Sequence, residues 1–244
     1  MTLTELLAHI GGVMLDDRSA MLSGASDNLV SDATITRHLN EAQRILCRKA
    51  WVLEDSTTAS CCEVTLATGT AEYALHKSVL FVKTARLNDD VVDLTRVGYD
   101  DNRVRAIDVT NMPDYWDVNV ATTEVTGRPT VFSTDSGTRL IRFGRTPSSV
   151  ENGLKVKLRV VRMPLAELST GTPSGVPEVP EEHHMLLTLY AAGKCLQSPN
   201  IDTELRSQGR EWMKEFYAGV AQANRDRLVI QQSMPQFRFA STTR

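Results

Sequence analysis

In LKVKLRVVRM, residues 154–163, apolar and basic side chains alternate, which makes this the clearest strand pattern of the chain. A period of two is typical of a β-strand that buries one face and exposes the other. The buried face would hold Leu154, Val156, Leu158 and Val160, and the exposed face Lys155, Lys157 and Arg159. The stretch therefore predicts a strand, and its alternate cations would discourage edge-to-edge aggregation.

Further extended segments precede this strand, from Ser60 onwards. The pattern predicts strands over residues 62–66, 79–87 and 91–94 with a turn at 88–90, and a hairpin of residues 129–133 and 138–143. Residues 96–117 are polar, acidic and aromatic and support no assignment. The middle of the chain is thus expected to be rich in antiparallel strands.

Two helices are predicted before residue 58. The first follows Thr2 or Thr4 as its N-cap. The second follows Ser31 or Asp32, and its apolar residues recur at helical spacing up to Ala50. These residues predict an amphipathic helix that packs against a core.

Two more helices are predicted after residue 163. Residues 164–180 contain four prolines and two glycines and are expected to form a linker. Pro180 suits the first turn of the third helix, and Asp202 or Thr203 would cap the fourth.

These patterns predict an α+β fold, with a bundle formed by helices from both ends of the chain and an inserted antiparallel β-rich domain. The expected parts are an N-terminal helical part (residues 1–58), a β-rich domain (59–163), a C-terminal helical part that packs with residues 1–58 (164–224) and an extended C-terminal arm (225–244).

Composition excludes several classes of protein. The chain has 244 residues, a net charge of −3 and a pI of about 6.0, which argues against a globally basic nucleic-acid binder. No stretch approaches the roughly 18 apolar residues of a membrane span, and the N-terminus lacks the basic region of a signal peptide. The four cysteines form no C-x-x-C pair and are expected to be reduced thiols.

The charge is distributed unevenly along the chain. Residues 127–163 hold eight basic and two acidic side chains, and residues 225–244 hold four basic and one acidic. Residues 86–126 hold nine acidic and four basic side chains, and both helical parts are also acidic. Segments of opposite sign suggest complementary surfaces between molecules.

The sequence contains no catalytic or metal-binding motif. Glu181-Glu182-His183-His184 lacks the i,i+4 spacing of a zinc helix and predicts a capped helix start with surface histidines. An acidic group without EF-hand spacing is interpreted as a solvated or partner-facing surface; it comprises Asp89, Asp90, Asp93, Asp100 and Asp101. No catalytic residue, metal or cofactor is therefore predicted.

The residues after Asn224 are basic and carry isolated apolar side chains. They are typical either of a frayed chain end or of an arm that becomes ordered on a partner. Its anchors would be Met234, Phe237 and Phe239, and Arg238 would pair with carboxylates.

Three stretches carry a family resemblance. The first is the helix over 35–51, followed by a strand. The second runs from Gly127-Arg128-Pro129 through 140–143 to the strand over 154–163, and the third is VPEVPEEH (176–183), which opens a helix. Their order and spacing resemble the head-to-tail adaptor family of tailed double-stranded DNA phages, which includes the tail tubular A-type proteins.

The resemblance covers about residues 31–224 and implies a structural virion protein rather than an enzyme. Members of that family form a ring, usually of twelve subunits, which seals the portal exit and carries the tail or nozzle. The implied partners are other copies of the chain, the portal protein and tail proteins. Genomic DNA would pass through the channel without sequence-specific binding. The resemblance implies synthesis in the host cytoplasm, a place at the head–tail junction, no membrane and no cofactor.

The resemblance also suggests roles for the tail and the charged segments. The portal-binding arm would use Leu228, Val229, Ile230, Met234, Phe237, Arg238 and Phe239. Charges between subunits or facing the tail would be Arg139, Arg142, Lys155, Lys157, Arg159, Asp89, Asp90, Asp100 and Asp101. The acidic helices are expected to line the channel, because a basic lining would hold the phosphates of the genome.

Two other functions are weighed against this one. The chain could be a cell-wall hydrolase carried in the virion, using a pair of carboxylates that meet only in the fold. It could also be a DNA-binding module that uses the basic residues 127–163. Clearing of peptidoglycan in a zymogram would indicate the hydrolase, and salt-sensitive retention on DNA would indicate the DNA-binding module.

Overall fold

Helices at both ends of the chain and strands in its middle give a mixed α+β protein, so the α+β class predicted from the sequence is confirmed. The computed structural model describes residues 1–15, 30–88, 90–98, 126–135, 139–197 and 203–233. The chain divides into a helical unit, Met1–Leu53 with Pro164–Arg244, and a β unit, Glu54–Met163.

The described residues contain five α-helices and eight strands. The helices are α1 (Leu3–His9), α2 (Asp32–Ala50), α3 (Ala59–Cys62), α4 (His184–Cys195) and α5 (Thr203–Ser233). The strands are β1 (Glu54–Asp55), β2 (Glu63–Thr65), β3 (Glu72–Ala74), β4 (Val79–Leu87), β5 (Thr95–Arg96), β6 (Val131–Asp135), β7 (Leu140–Phe143) and β8 (Lys155–Arg162). Helix α1 continues as a π-helical turn, Ile10–Met14, and a 3-10 turn, Glu181–His183, precedes α4.

Side-chain caps start α1 and α2 at residues that the sequence proposes. The Thr2 hydroxyl accepts a hydrogen bond from the Glu5 amide, and the Glu5 carboxylate accepts one from the Thr2 amide at 2.8 Å. The Ser31 hydroxyl accepts a hydrogen bond from the Thr34 amide. Helix α2 ends at Trp51, which adopts the left-handed conformation with φ 54°. These contacts satisfy backbone groups that a helix end leaves unpaired.

Helices α4 and α5 approach each other through glycines. A Cβ atom added to Gly193 would lie 2.8 Å from the carbonyl oxygen of Gly209, and one added to Gly209 would lie 2.9 Å from the Cβ of Leu196. A Cβ at Gly219 would lie 2.4 Å from Leu186. Because these distances leave no room for a side chain, glycine allows the two backbones to pack closely. Helix α2 packs against both helices.

Residues 164–180, predicted as a linker, are bound along α1 and α2. The Asn40 side chain accepts a hydrogen bond from the Leu168 amide at 2.8 Å and donates one to the Leu168 carbonyl at 2.9 Å. The Leu3 amide, at the start of α1, donates to the Gly175 carbonyl at 2.7 Å. The connection is therefore held by specific polar contacts, and both hydrogen bonds of Asn40 are buried.

Strand β8, which the alternating stretch predicts, is the central strand of a four-stranded sheet. Strand β4 pairs with one edge of β8, and β1 and β2 share the other edge, all antiparallel. A second sheet has the order β3-β7-β6-β5, in which only the β5–β6 pair is parallel. The common core of the β unit includes Val156, Leu158, Val160, Phe132 and Ile141. The predicted buried face of β8 is confirmed.

The central position of β8 corrects the interpretation of its cations. Neighbouring strands occupy both edges of β8, so Lys155, Lys157 and Arg159 do not protect an edge from aggregation. They lie on the outward face of the sheet, where each is exposed.

Other strand predictions are wrong in part. The turn after β4 forms, with the Asp90 amide donating to the Leu87 carbonyl, but residues 91–94 are not a strand. The returning segment contacts β4 through the Leu94 amide, which donates to the Ala85 carbonyl at 2.7 Å. Val91 and Val92 are 91% and 75% exposed, so they contribute no apolar side chain to the core, whereas Leu94 is buried. The hairpin of β6 and β7 is confirmed.

The extended arm predicted from residue 225 is helical as far as Ser233. The reason is local: Gln222 donates a hydrogen bond to Asp226 at 2.6 Å, and Arg225 donates one to Gln222 at 2.8 Å. Side-chain pairs three and four residues apart stabilise a helix. The residues after Ser233 lie outside the described residues.

Candidate interaction surfaces

Cations on the outer face of β8 are matched by carboxylates on neighbouring strands. Lys155 Nζ lies 2.8 Å from Glu63 Oε2, and Arg159 Nη2 lies 3.0 Å from Glu54 Oε2. Lys83 of β4 also contacts Glu54. Burial opposes ionisation of Glu54, but Lys83 and Arg159 outweigh it and hold the pKa of this carboxyl below its usual value. Two of the three cations are thus paired within their own sheet.

Lys157 and Arg86 form the remaining basic patch on this face. They lie opposite each other in the antiparallel β4–β8 pair, and both are exposed. Neither forms an ion pair within the described part of the chain, but Glu63 lies opposite Lys157 in the β2–β8 pair and attracts it electrostatically. The charge of Lys157 is thus partly compensated within its own sheet.

The predicted charges Arg139 and Arg142 lie at β7. Arg142 Nη1 lies 3.2 Å from Glu72 Oε1 on the neighbouring strand β3. Arg139 is exposed, has a positive φ of 55° and donates a hydrogen bond to the Lys77 carbonyl at 3.0 Å. Both guanidinium groups therefore have contacts within the β unit.

Asp90 and Asp93 are the members of the predicted acidic group that the structure describes, and Asp93 is exposed. Asp90 is paired. Its carboxylate lies 3.0 Å from the guanidinium of Arg128. The adjacent Val91 and Val92 are exposed, so this turn presents apolar surface beside a paired charge. Outside the described residues lie Asp89, Asp100 and Asp101.

A buried carboxylate, Asp55, holds β1, α3 and β8 together. It accepts hydrogen bonds from the Thr57 amide at 2.9 Å, the Thr58 hydroxyl at 2.7 Å and Arg162 Nε at 2.7 Å. Burial opposes its ionisation, but these donors outweigh burial and hold the pKa of Asp55 far below its usual value. The sequence contains no signal for this network, because its members meet only through strand pairing.

Asp55 also lies beside two thiols, which raises the question of a metal site. The ligand atoms of Asp55, Cys61 and Cys62 all lie within 4.8 Å of one another. The donor set does not suit a cation: the Asp55 oxygens already accept several hydrogen bonds, and the Arg162 guanidinium adds a positive charge. Burial and the neighbouring Cys61 and Asp55 raise the pKa of Cys62 to about 12, so this thiol stays protonated. We interpret the group as a structural anchor.

The prediction that His183 and His184 are both surface histidines is wrong for His184, which is 2% exposed. Its Nε2 lies 3.0 Å from the Val179 carbonyl oxygen, and its Nδ1 lies 3.0 Å from the amino nitrogen of Met1. The 3-10 turn before α4 rotates His184 into the helical unit, a step that the sequence pattern does not reveal. Burial lowers the pKa of His184.

The ends of α2 and α5 form an open groove in the helical unit. Cations stack on aromatic rings there: Lys49 Nζ lies 4.9 Å from the Tyr217 ring centre, and the Arg227 guanidinium lies 4.7 Å from that of Trp51. The groove is lined by Lys49, Tyr217, Val220, Ala221 and Asn224. Its walls are apolar and its rim is basic.

The first residues of the predicted portal-binding arm lie in the last turns of α5. Leu228 is 42% and Val229 64% exposed. Ile230 lies in the same helix, but its side chain is outside the described part of the chain, as are all of Met234, Phe237, Arg238 and Phe239. Two apolar side chains at the end of a long helix are thus available to a partner.

Sequence reasoning overlooked the charge pattern of α5. Three cations are each followed directly by an acid: Arg210-Glu211, Lys214-Glu215 and Arg225-Asp226. All six side chains are exposed. Neighbouring residues of a helix point about 100° apart, so the cations form one stripe and the acids form another. We call them the basic stripe (Arg210, Lys214, Arg225) and the acidic stripe (Glu211, Glu215, Asp226).

Comparison with known proteins gives the family. Among the described residues, none of the helices combines the length and the apolar character needed to cross a membrane. A search of curated proteins finds no match. The model of the SU10 adaptor protein family matches residues 1–237. The chain therefore belongs to the SU10 adaptor protein family, a family of phage head–tail adaptors.

Proposed function

We propose that twelve copies of this adaptor form a ring below the portal, which seals the DNA exit channel and carries the tail or nozzle on its far side. The observation that carries the proposal is the family match over residues 1–237. The long helix α5 supports it, because 31 residues of helix bury only one face, around Phe216, Val220 and Ala223. A ring would cover part of the remaining surface.

Attachment to the portal is assigned to the C-terminal segment from Leu228 onwards. In support, Leu228 and Val229 are exposed apolar side chains in the last turns of α5. Anchors of this kind bind by burying apolar area, and the same contact repeated around a ring multiplies a modest affinity.

In this proposal, genomic DNA passes the ring without sequence-specific binding. The acidic helices line the channel, and the outer face of β8 points elsewhere. The pairing of Lys155 with Glu63 and of Arg159 with Glu54 supports this arrangement, because it reduces the positive charge of the sheet. A DNA-binding module would need those cations free for phosphates.

The proposal is tested by mixing the purified chain with portal rings and measuring co-sedimentation, with negative-stain imaging of the pellet. The expected result is one adaptor ring per portal. A chain that lacks residues 228–244 should stay folded but fail to sediment with the portal, and Leu228→Asp/Val229→Asp should weaken binding. Val150→Asp is the matched control, because Val150 is an 81% exposed valine of the β unit.

The outcomes separate the parts of the proposal. Absence of any ring from full-length protein, alone or on the portal, would overturn the ring function. Undiminished binding by the truncated chain would overturn the role of the C-terminal segment alone. Retention on DNA that falls steeply with salt would instead support the DNA-binding module.

A further inference from the structure

Helix α5 exposes two charged stripes that have no ion-pair partners within the described chain. The basic stripe and the acidic stripe lie next to each other on the side of α5 opposite its buried residues. Arg225 and Asp226 each share a hydrogen bond with Gln222, but among the described residues none of the six charges forms an ion pair. Six exposed charges are thus available to another molecule.

The spacing of these charges brings little benefit to the isolated helix. Arg210 and Lys214 are four residues apart and have the same sign, as do Glu211 and Glu215, and like charges at this spacing destabilise a helix. Glu211 and Lys214, three residues apart, have opposite charges, but among the described residues they form no ion pair. The sorting of charges into stripes therefore favours contacts between helices over contacts within α5.

Apolar side chains accompany both stripes. Tyr217 lies beside the basic stripe and is 41% exposed. Ala218, also exposed, lies beside the acidic stripe. Each stripe thus combines charge with area that can be buried, as a protein interface requires.

We propose that α5 of one copy packs alongside α5 of the next copy, with the basic stripe of one against the acidic stripe of the other. This inference rests on the proposed ring, whose cyclic symmetry places equivalent helices at the same height. Each cation of one copy then lies within one residue, about 1.5 Å of rise, of an acid of its neighbour. The match recurs at residues 210/211, 214/215 and 225/226.

The contact joins two different surfaces and is therefore heterologous. Each copy has both surfaces, so the contact repeats from copy to copy until the ring closes, and it does not stop at a dimer. Exposed charge pairs are individually weak and are screened by salt. Self-association should accordingly weaken as the salt concentration rises.

Charge reversal tests the contact directly. In Arg210→Glu/Lys214→Glu positions 210, 211, 214 and 215 are all acidic, and in Glu211→Lys/Glu215→Lys they are all basic, while Arg225 and Asp226 keep their charges. Each variant alone should self-associate at least about tenfold more weakly than the unsubstituted chain, because like charges then face each other at these positions. Mixing the two variants should restore assembly, because a copy that is acidic at these four positions can alternate with one that is basic there. Mass photometry over a concentration series measures each state.

A fourth protein and a control complete the experiment. The variant with all four reversals has the charges exchanged at these four positions and should assemble with itself. Lys77→Glu/Arg145→Glu changes the net charge by the same amount as Arg210→Glu/Lys214→Glu, on exposed residues of the β unit, and should leave assembly unchanged. Circular dichroism melting establishes that every variant is folded.

The results distinguish this inference from the function on which it rests. The α5 contact would be overturned if the variants assembled as well as the unsubstituted chain, or if the mixture failed to recover assembly. Rings on the portal would still support the proposed function in that case. If the unsubstituted chain forms no ring alone or on the portal, both the inference and the proposed function are wrong.

Discussion

The outer face of β8 and the exposed face of α5 both carry alternating charge, but they use it differently. On β8, Lys155 and Arg159 have carboxylate partners on adjacent strands of the same chain. On α5, the described part of the chain offers no ion-pair partner to Lys214 or Glu215. Exposed ion pairs within one chain stabilise the fold weakly. Charges that have no ion-pair partner and are arranged in stripes are suited to recognition between molecules.

The largest expected effect concerns the buried end of β8. Asp55→Asn would leave the Arg162 guanidinium buried without its counter-charge and should lower the free energy of unfolding of the β unit by about 3–5 kcal/mol. Urea unfolding, monitored by hydrogen exchange of the β8 amides, measures this loss of free energy of unfolding. Glu63→Gln, which removes a partner of the exposed Lys155, is the control and should cost less than about 1 kcal/mol. If the two variants lost the same free energy of unfolding, the buried ion pair at one end of β8 would contribute no more than the exposed pair at the other end.

The next effect concerns the buried side of α5. Gly209→Ala should destabilise the helical unit by about 1–3 kcal/mol, because the added methyl group overlaps α4. Gly12→Ala is the matched control, because no atom lies within 4 Å of its Cβ position, and alanine should stabilise that helix by up to about 1 kcal/mol. Thermal melts of the two variants should therefore move in opposite directions. A stabilised Gly209→Ala protein would contradict the close approach of α4 and α5.

A smaller effect is expected from pH. Burial lowers the pKa values of His184 and His38 below the usual histidine value of about 6.5. As the pH falls through about 6.5, the unfolded chain binds protons that the folded chain does not, so the free energy of unfolding decreases. The stability of the helical unit should be flat above pH 7.5 and fall towards pH 5. His184→Gln should flatten this profile, and an unchanged slope in that variant would exclude His184 as a cause.

The smallest effects on monomer stability are expected at exposed charges. Lys155→Gln loses an intrachain ion pair and should cost less than about 1 kcal/mol. Arg210→Gln loses no ion pair among the described residues. It should leave the melting temperature unchanged while weakening self-association. Melting measured together with mass photometry separates the two outcomes. A lower melting temperature for Arg210→Gln at monomeric concentration would contradict the view that this side chain serves only another copy.

Local patterns predicted the parts of the fold that local forces determine. Ser31 caps α2 because its hydroxyl contacts an amide three residues later, and β6 pairs with β7 across a short turn. The pairing of β4 with β8 depends on apolar residues more than 70 positions apart and could not be inferred from one segment. The burial of His184 and the Asp55 network depend on tertiary contacts in the same way.

The residue types of the candidate surfaces could be predicted better than their partners. The sequence identifies Lys155 and Arg159 as a basic face, but their carboxylates lie 92 and 105 positions away. The adjacent pairs of opposite charge that form the two stripes of α5 can be read directly from the sequence. Finding them required the helix to continue through Asp226, where an extended arm was predicted.

The binding of residues 164–180 to α1 and α2 has a consequence for the synthesis of the chain. The helical unit is completed only after the 110 residues from Glu54 to Met163 have left the ribosome. At roughly 5–20 residues per second this takes about 5–20 seconds. During that time, Leu39 and Leu46 of α2 lack the helices that cover them in the finished fold. The contiguous β unit can fold in this interval, and the nascent α2 is the segment that a chaperone would bind.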